Sequence, residues 1–223
     1  MPSSGTLSGV LFMPATVRML VFDIDLTLYD DRAYYESQEY ALTKRLAEHL
    51  GQPIDEVEAG ISAVREEHKA KHGGRLSMAN TFKRFGVPIE ENARWRAELF
   101  KPEDYLSADP RLDATLAELQ GTYRLAAVTN NATSIGHRTL EILGVHPRFD
   151  RVLGIDDALE SKPTIRPFRI LANEFGIPIT EMVSIGDRRA VDLDLPMAHG
   201  AGGILVRSVE DVYALPAVLR SSG

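Results

Sequence analysis

The 223-residue sequence contains no cysteine and no long apolar run, and these absences exclude several classes of protein. Without cysteine there is no disulfide framework, no thiol nucleophile and no cysteine-ligated zinc, which fits a reducing cytoplasm. No run of about 18 apolar residues occurs, so we expect no membrane-spanning helix and no membrane partner. The net charge of −7 argues against nucleic acid as a main partner, since a phosphate backbone favours a basic face, so we expect no nucleic-acid partner.

The length suits one globular domain, or a core domain that carries a smaller insert. Charged residues make up 26% of the chain, close to the average for folded proteins, which disfavours disorder. Residues 1–16 are rich in serine and glycine and lack the segments of a signal peptide, so we interpret them as a loose arm.

Five short apolar segments are typical of buried parallel strands, and helical patterns separate them. The segments are residues 19–25, 123–129, 151–155, 182–185 and 203–206. The helical patterns are residues 114–119, 134–143 and 167–175, and Asp109-Pro110 provides a cap and a first position for the first of them. Strand and helix taking turns predict an α/β fold whose parallel sheet is covered on both faces.

One stretch after the first strand interrupts this alternation. It contains four amphipathic helical patterns and no convincing strand, and the patterns are residues 32–50, 54–71, 78–85 and 90–100. An insert at this point of the chain lies over the carboxyl edge of the sheet, where open parallel sheets bind ligands. We therefore predict a helical cap domain of residues 29–104 and a core domain of residues 1–28 and 105–223.

Two carboxylates, Asp23 and Asp25, stand at the end of the first predicted strand. Side chains at positions i and i+2 of an extended chain share a face, so these two carboxylates point the same way. Such a pair repels, and a cation beside it removes the conflict. Magnesium prefers hard oxygen ligands of this kind.

Three later segments also place polar groups after strands. Thr129 and Asn130 follow the second strand, Lys162 follows the third by several residues, and Asp187 and Asp192 follow the fourth. Each alone has an ordinary explanation, as a helix cap or a solvated side chain. Their combination and order favour a site for phosphate and a metal ion.

These four motifs resemble those of the haloacid dehalogenase-like superfamily, in the phosphatase branch with a helical cap of the C1 type. The motifs are DIDLTLYD (23–30), VTN (128–130), SKP (161–163) and GDRRAVD (186–192). The resemblance covers residues 19 to about 207. It implies a Rossmann-like sheet of order 5-4-1-2-3, numbering the five strands along the chain.

The resemblance also implies a catalytic role for each motif. Asp23 would attack the substrate phosphorus and become an aspartyl-phosphate. Asp25 would protonate the leaving oxygen and then activate water. Lys162 would supply positive charge, and Thr129 and the backbone near Asn130 would bind the same phosphoryl oxygens.

A magnesium ion is the implied cofactor. Its ligands would be Asp23, Asp187 and the main-chain carbonyl of Asp25. Asp192 would orient Lys162 or a metal-bound water. Thr27 would tether the loop after the first strand.

The predicted activity is magnesium-dependent hydrolysis of a small phosphate monoester. A phosphomutase shares every core residue and is the alternative. A 2-haloacid dehalogenase is less favoured, because a leaving halide gives the Asp25 carboxylate nothing to protonate. A non-catalytic binding module is disfavoured as well, since no carboxylate or lysine of the four motifs is missing.

The substrate must be selected by the cap. The basic segment of residues 65–75 offers Arg75 and His72 as candidates for holding the far end of an anionic substrate. A solvated helix end is the favoured interpretation of this segment, because lysine and arginine are normally exposed. The first motif is similar to that of pyrimidine-nucleotide phosphatases, although Leu26 stands where those carry asparagine. Phosphoglycolate, sugar phosphates and nucleotides are thus candidate substrates, and we expect a monomer or a small homo-oligomer.

Overall fold

A computed structural model describes residues 9–73 and 76–221 and contains a six-stranded, mostly parallel sheet. The strands are β1 (Val10–Phe12), β2 (Met19–Phe22), β3 (Arg124–Val128), β4 (Arg151–Leu153), β5 (Met182–Gly186) and β6 (Gly202–Leu205). Their spatial order is β1-β6-β5-β2-β3-β4. The five parallel strands therefore have the order predicted from the resemblance, and the α/β fold class is confirmed.

The strand β1 corrects the prediction of a loose arm over residues 1–16. It pairs antiparallel with β6, placing Val10 opposite Ile204 and Phe12 opposite Gly203. An added strand satisfies backbone groups that the edge of the sheet would leave unpaired. Three residues are too few for a period-two pattern to be recognised in the sequence, and residues 1–8 lie outside the described part of the chain.

Four helices follow β2 and form the predicted helical insert. They are α1 (Arg32–Leu50), α2 (Ile54–His72), α3 (Met78–Lys83) and α4 (Ile89–Leu99). Asp31 caps α1 by accepting a hydrogen bond from the backbone of Tyr34, and Gly51 ends it with a φ of 64°. A left-handed residue at this position favours glycine, as the sequence pattern predicted.

The remaining helices surround the sheet. They are α5 (Pro110–Gln120), α6 (Thr133–Ile142), α7 (Ile155–Ala158), α8 (Arg166–Phe175), α9 (Asp194–Ala198), α10 (Val209–Tyr213) and α11 (Leu215–Ser221). Asp109 caps α5 through the backbone N–H groups of Arg111 and Leu112, with Pro110 at the first helical position, as expected. Ile155, assigned to a strand from the sequence, begins α7 instead. No described helix is long and apolar enough to cross a membrane.

The central strands bury side chains on both faces of the sheet. Leu20 and Phe22 of β2 point into one apolar cluster, which α5, α6 and the C-terminal helices complete. Met19 and Val21 point into a second cluster with Phe168 of α8. This arrangement explains why β2 is apolar at every position, since a parallel sheet covered on both faces has no solvent side.

The helical insert has an apolar cluster of its own, which also extends to the core. Leu46, Phe82 and Trp95 are buried within the insert. The same cluster includes Ala132 and Ile135, beside and within α6. The insert therefore packs against the side of the sheet at which β3 ends, which is its carboxyl edge.

Candidate active site

Three of the sequence motifs begin where parallel strands end. Asp23 directly follows β2, Thr129 directly follows β3 and Asp187 directly follows β5. The strand β2 lies between β3 and β5 in the sheet, so these three ends are neighbours. Open parallel sheets bind ligands at such a crevice, where the chain connections turn to opposite sides.

Lys162 connects three of the motifs through its ammonium group. Its Nζ donates to Asp23 Oδ1 at 2.6 Å, to Asp192 Oδ1 at 2.7 Å and to the carbonyl oxygen of Val128 at 2.9 Å. The side chain is 7% exposed. Burial alone would lower the pKa of Lys162, but the carboxylates of Asp192 and Asp23 outweigh it and raise the pKa. The group is thus a fixed positive charge against Asp23.

The side chain of Asn130 holds the lysine segment in place. Its Oδ1 accepts a hydrogen bond from the backbone N–H of Lys162 at 2.7 Å. The second and third motifs, which are about 30 residues apart in the chain, are thereby joined directly.

Asp192 is fixed on both sides of its carboxylate. Oδ1 binds the lysine, and Oδ2 accepts from the backbone N–H of Arg188 at 3.0 Å. A Cβ atom at Gly186 would lie 2.6 Å from the Cβ of Asp192, so only glycine lets the chain approach this closely. Burial raises the pKa of Asp192, although Lys162 opposes that change.

Asp23, Asp187 and Asp192 form a cluster with one carboxylate oxygen from each within 4.8 Å of the others. Within residues 9–73 and 76–221, Asp23 Oδ2 and Asp187 Oδ1 are buried without a hydrogen-bond partner. Burial and the neighbouring Asp23 charge raise the pKa of Asp187 to about 7. Crowded carboxylates with free oxygens suit a hard divalent cation, so these residues fit the implied metal ion.

The side chain of Asp25 lies among hydrogen-bond donors and is not part of the acidic cluster. It accepts from the hydroxyl of Tyr29 at 2.6 Å, from Gln38 Nε2 at 3.2 Å, from Thr129 Oγ1 at 3.2 Å and from Asn131 Nδ2 at 3.0 Å. Burial and the Asp25 charge raise the pKa of Tyr29, so its phenol stays protonated and keeps donating.

These contacts change the expected position of Thr129. Its hydroxyl donates to Asp25 and accepts from the backbone N–H of Asn131 at 3.0 Å. The side chain predicted to bind phosphate is therefore engaged with the neighbouring carboxylate. The backbone N–H of Thr129 donates to the carbonyl oxygen of Leu153 at 2.9 Å, so only the backbone of Asn130 keeps the position expected for an anion site.

Thr27 also differs from its prediction. Its hydroxyl is buried and has no hydrogen-bond partner among the described residues, so it does not tether the loop. Backbone hydrogen bonds from Thr27 and Leu28 to the carbonyl oxygen of Ile24 close the turn instead.

Three of the groups that surround Asp25 were missed in the sequence, although each has a recognisable signal. Tyr29 stands four residues after Asp25, and Asn131 directly follows the second motif. Gln38 occupies a position on α1 between the buried residues Tyr34 and Leu42, at four-residue spacing. A polar residue within an apolar stripe has to find a buried partner, and here that partner is Asp25.

A cavity of about 100 Å³ lies between the helical insert and the sheet edge, beside Asp25. Of the basic segment at residues 65–75, Arg65 lines this cavity, whereas the candidate His72 is exposed and does not. The other candidate, Arg75, lies outside the described residues. The interpretation as a solvated helix end therefore fits His72 but not Arg65.

Arg188, to which the sequence analysis gave no role, lies between the cavity and the acidic cluster. Its Nη2 is 3.8 Å from Asp23 Oδ2 and its Nε is 3.4 Å from Asp187 Oδ1. Burial opposes its charge, but the surrounding carboxylates raise its pKa. The side chain brings a second permanent positive charge to the site.

The site thus consists of an acidic cluster and a buried lysine at the carboxyl edge of an α/β core, and the sequence that forms it matches a known enzyme family. Residues 17–202 match the haloacid dehalogenase-like hydrolase family, and the chain belongs to that family of enzymes.

Individual relatives are more distant. The chain is 28% identical over 204 residues to the phosphoglycolate phosphatase of Escherichia coli (strain K12), covering 83% of this chain and 79% of the relative. Among solved structures, a phosphatase of this family from Thermococcus onnurineus has a TM-score of 0.58 at 22% identity, covering 91% of this chain and 98% of that one. A 2-haloacid dehalogenase from Pseudomonas syringae has a TM-score of 0.59 at 17% identity, covering 93% and 100%. These two structures establish the fold alone.

Proposed function

We propose that the chain is a magnesium-dependent phosphatase that hydrolyses a small phosphate monoester through an aspartyl-phosphate on Asp23. The observation that carries this proposal is the contact between Lys162 Nζ and Asp23 Oδ1 at 2.6 Å, with Asp23 Oδ2 left without a hydrogen-bond partner among the residues that the structure describes. One oxygen of the carboxylate is thus neutralised and oriented while the other is available as a nucleophile. The sequence similarity to a phosphoglycolate phosphatase supports the same reaction class.

In the first step, Asp23 Oδ2 attacks the phosphorus and displaces the alcohol oxygen of the substrate. Asp25, two residues further and facing the cavity, donates the proton that the leaving oxygen needs. Lys162 and Arg188 place positive charge near the oxygens of the transferring group, where charge spreads in the transition state.

In the second step, water attacks the phosphorus of the aspartyl-phosphate and Asp23 is released. Asp25, ionised by the first step, accepts the proton of that water. Its donors hold the carboxylate at one position, which suits the acceptance of a proton from that water.

Asp23 and Asp187 would hold the magnesium ion, with Asp192 fixing the surrounding geometry through Lys162 and the backbone of Arg188. When bound, the ion supplies charge neutralisation for the phosphoryl oxygens and for the two carboxylates.

We also propose that residues 29–104 act as a cap domain on the core. Asp23 is 3% exposed, and helices of the insert cover the cavity beside it. Separation of the insert from the sheet edge would admit substrate to the nucleophile, and its return would exclude water. A cytoplasmic location and a monomeric or small oligomeric state stay predictions.

The test is phosphate release from an aryl phosphate with and without magnesium. Asp23→Asn removes the nucleophilic charge, so turnover should disappear, while a circular dichroism spectrum should show an unchanged fold. Asp55→Asn, an exposed aspartate on α2, serves as the matched control and should be as active as the wild type. Full turnover by Asp23→Asn would refute the assignment of the nucleophile.

A substrate screen then separates the related activities. Phosphoglycolate, sugar phosphates, nucleotides and a 2-haloacid are each incubated with the protein and magnesium. Release of inorganic phosphate identifies a phosphatase, an isomeric sugar phosphate identifies a phosphomutase, and halide release would show the dehalogenase alternative.

A further inference from the structure

The cavity beside Asp25 has more positive than negative groups in its wall. Five charged side chains line it, and they are Asp25, Glu39, Arg65, Arg96 and Arg188. Three arginines thus face two carboxylates. Such a wall favours an anionic ligand, and the transferring phosphoryl group accounts only for the arginine closest to Asp23.

Arg96, on α4, is the arginine whose charge is least compensated. It is 6% exposed, and its guanidinium donates to two neutral amides, from Nε to Asn92 Oδ1 at 2.7 Å and from Nη1 to Asn131 Oδ1 at 2.6 Å. In the described part of the chain it forms no ion pair within 4.0 Å, whereas Arg65 pairs with Glu39 at 3.3 Å.

A buried cation without an anionic partner is costly to the folded state. Burial outweighs the attraction of Asp25 and lowers the pKa of Arg96 to about 10, so the group is still charged at neutral pH. A guanidinium has five N–H donors in a planar fork, and the two amide contacts leave others available. A bound anionic ligand would supply the negative charge that the buried Arg96 guanidinium lacks, which explains why the fold keeps an arginine here.

Arg65 provides an independent sign of unused donor capacity in the same wall. Its Nε is buried and has no hydrogen-bond partner among the described residues, although its Nη2 contacts Glu39. Arg65 lies on α2 and Arg96 on α4, so two helices of the insert contribute donors to one cavity.

We propose that Arg96 binds a carboxylate at the non-reacting end of the substrate, and that the substrate is a compact phosphate monoester bearing that carboxylate. This inference rests on the proposed phosphatase function and adds the residue that selects the substrate. The planar fork of arginine matches a carboxylate with two parallel hydrogen bonds. A cavity of about 100 Å³ is smaller than the roughly 300–1,000 Å³ of sites for drug-sized ligands, which suits a small acid better than a nucleotide.

The test compares two substrates of nearly equal size. In 2-phosphoglycolate a carboxylate stands where ethyl phosphate has a methyl group, and the phosphate ester is otherwise the same. The wild type should prefer 2-phosphoglycolate in kcat/KM. Arg96→Gln should lower kcat/KM for 2-phosphoglycolate by about 100-fold, as expected when one partner of a buried charge pair is removed. The value for ethyl phosphate should fall by much less, so that the preference for 2-phosphoglycolate is lost.

Two further variants separate recognition from a structural role. Arg96→Lys keeps the charge but loses the fork, so the preference for 2-phosphoglycolate should fall by about tenfold. Arg94→Gln, on the same helix with a side chain 63% exposed, is the matched control and should leave both substrates unaffected. If Arg96→Gln does not fold, the lysine variant decides the question alone.

A parallel loss on both substrates would overturn the inference, because it would mean that Arg96 acts only by holding Asn131 and the sheet edge. An unchanged preference would overturn it as well. A preference for a substrate with a second phosphate in place of the carboxylate would refute the assigned substrate class. If the wild type hydrolyses aryl phosphate and ethyl phosphate as well as 2-phosphoglycolate, this inference is refuted while the proposed phosphatase function is retained. A wild type that hydrolyses none of them refutes the proposed function itself.

Discussion

Replacing Lys162 by methionine should damage both the stability and the activity of the protein. The methionine side chain is similar in length but removes three hydrogen bonds, to Asp23, Asp192 and the carbonyl of Val128. Both carboxylates are at least 97% buried and would be left without the charge that neutralises them. Removing one member of a buried ion pair typically costs about 3–5 kcal/mol of unfolding free energy.

The loss can be measured as a shift in the melting temperature. For a domain of this size, about 1 kcal/mol corresponds to about 2–4 °C, so we expect the variant to melt roughly 10 °C lower. The measurement belongs in buffer with a chelator, so that a bound cation does not replace the missing charge. Turnover of an aryl phosphate should fall by more than about 100-fold, since an oriented positive charge at the phosphoryl group is lost.

The pH dependence gives a second check with a definite sign. Burial raises the pKa of Asp192, and Lys162 is the main group that opposes this rise. In Lys162→Met the pKa of folded Asp192 therefore rises further above its unfolded value. As the pH increases, Asp192 loses its proton in the unfolded chain before it does so in the folded protein. The variant therefore loses stability between the unfolded and the folded pKa of Asp192. The difference in unfolding free energy between the variant and the wild type should be large near pH 8 and should shrink towards about pH 5.

A double mutant tests whether the loss comes from the uncompensated carboxylates. Adding Asp192→Asn to Lys162→Met removes one buried charge and should recover part of the stability. Lys162→Met proteins that melt within about 2 °C of the wild type at pH 8 would refute the reasoning, because the buried ion pairs would then contribute almost nothing.

Two further changes probe the acidic cluster and the turn beneath it. Magnesium at about 100 times its dissociation constant should raise the melting temperature by about 5–10 °C. The Asp187→Asn variant should lose most of this shift, whereas the exposed control Asp194→Asn should keep it. An equal shift in both variants would exclude Asp187 as a ligand. Gly186→Ala places a Cβ atom 2.6 Å from that of Asp192, which is the partner of Lys162. The displaced carboxylate should lower turnover by at least about tenfold, whereas Gly60→Ala in α2 should not change turnover in this way. Wild-type turnover of Gly186→Ala would show that the close approach is not required.

Much of the fold was predictable because it depends on local and periodic information. The run over residues 19–22 is apolar at every position, which indicates a strand buried on both faces, and the structure confirms it. Helix ends followed from Asp109 and Gly51, whose preferences arise from local hydrogen bonding and a left-handed backbone. The short strand β1 was missed, because a three-residue edge strand exists only through its pairing with β6.

The motif residues of the candidate site were predictable, whereas several of its other members, such as Arg188 and Gln38, and many of its contacts were not. Motif order placed Asp23, Lys162, Asp187 and Asp192 at one edge of the sheet, and the structure brings these four side chains together. The surroundings of Asp25 could not be derived from order alone. Its donor Gln38 comes from the helical insert, and whether a polar residue on a helix meets the core depends on how the two pack.

The sequence by itself thus determined the parallel sheet, the position of the insert and the residues at the strand ends, since each depends on neighbours along the chain. Only the tertiary structure decided that Arg96 is buried with no anionic partner in the described part of the chain, that Arg65 enters the cavity and that His72 does not. The free energy of burying a charged side chain, and its ability to bind a ligand, depend on its solvent exposure and on its partners. Segments far apart in the chain provide those surroundings.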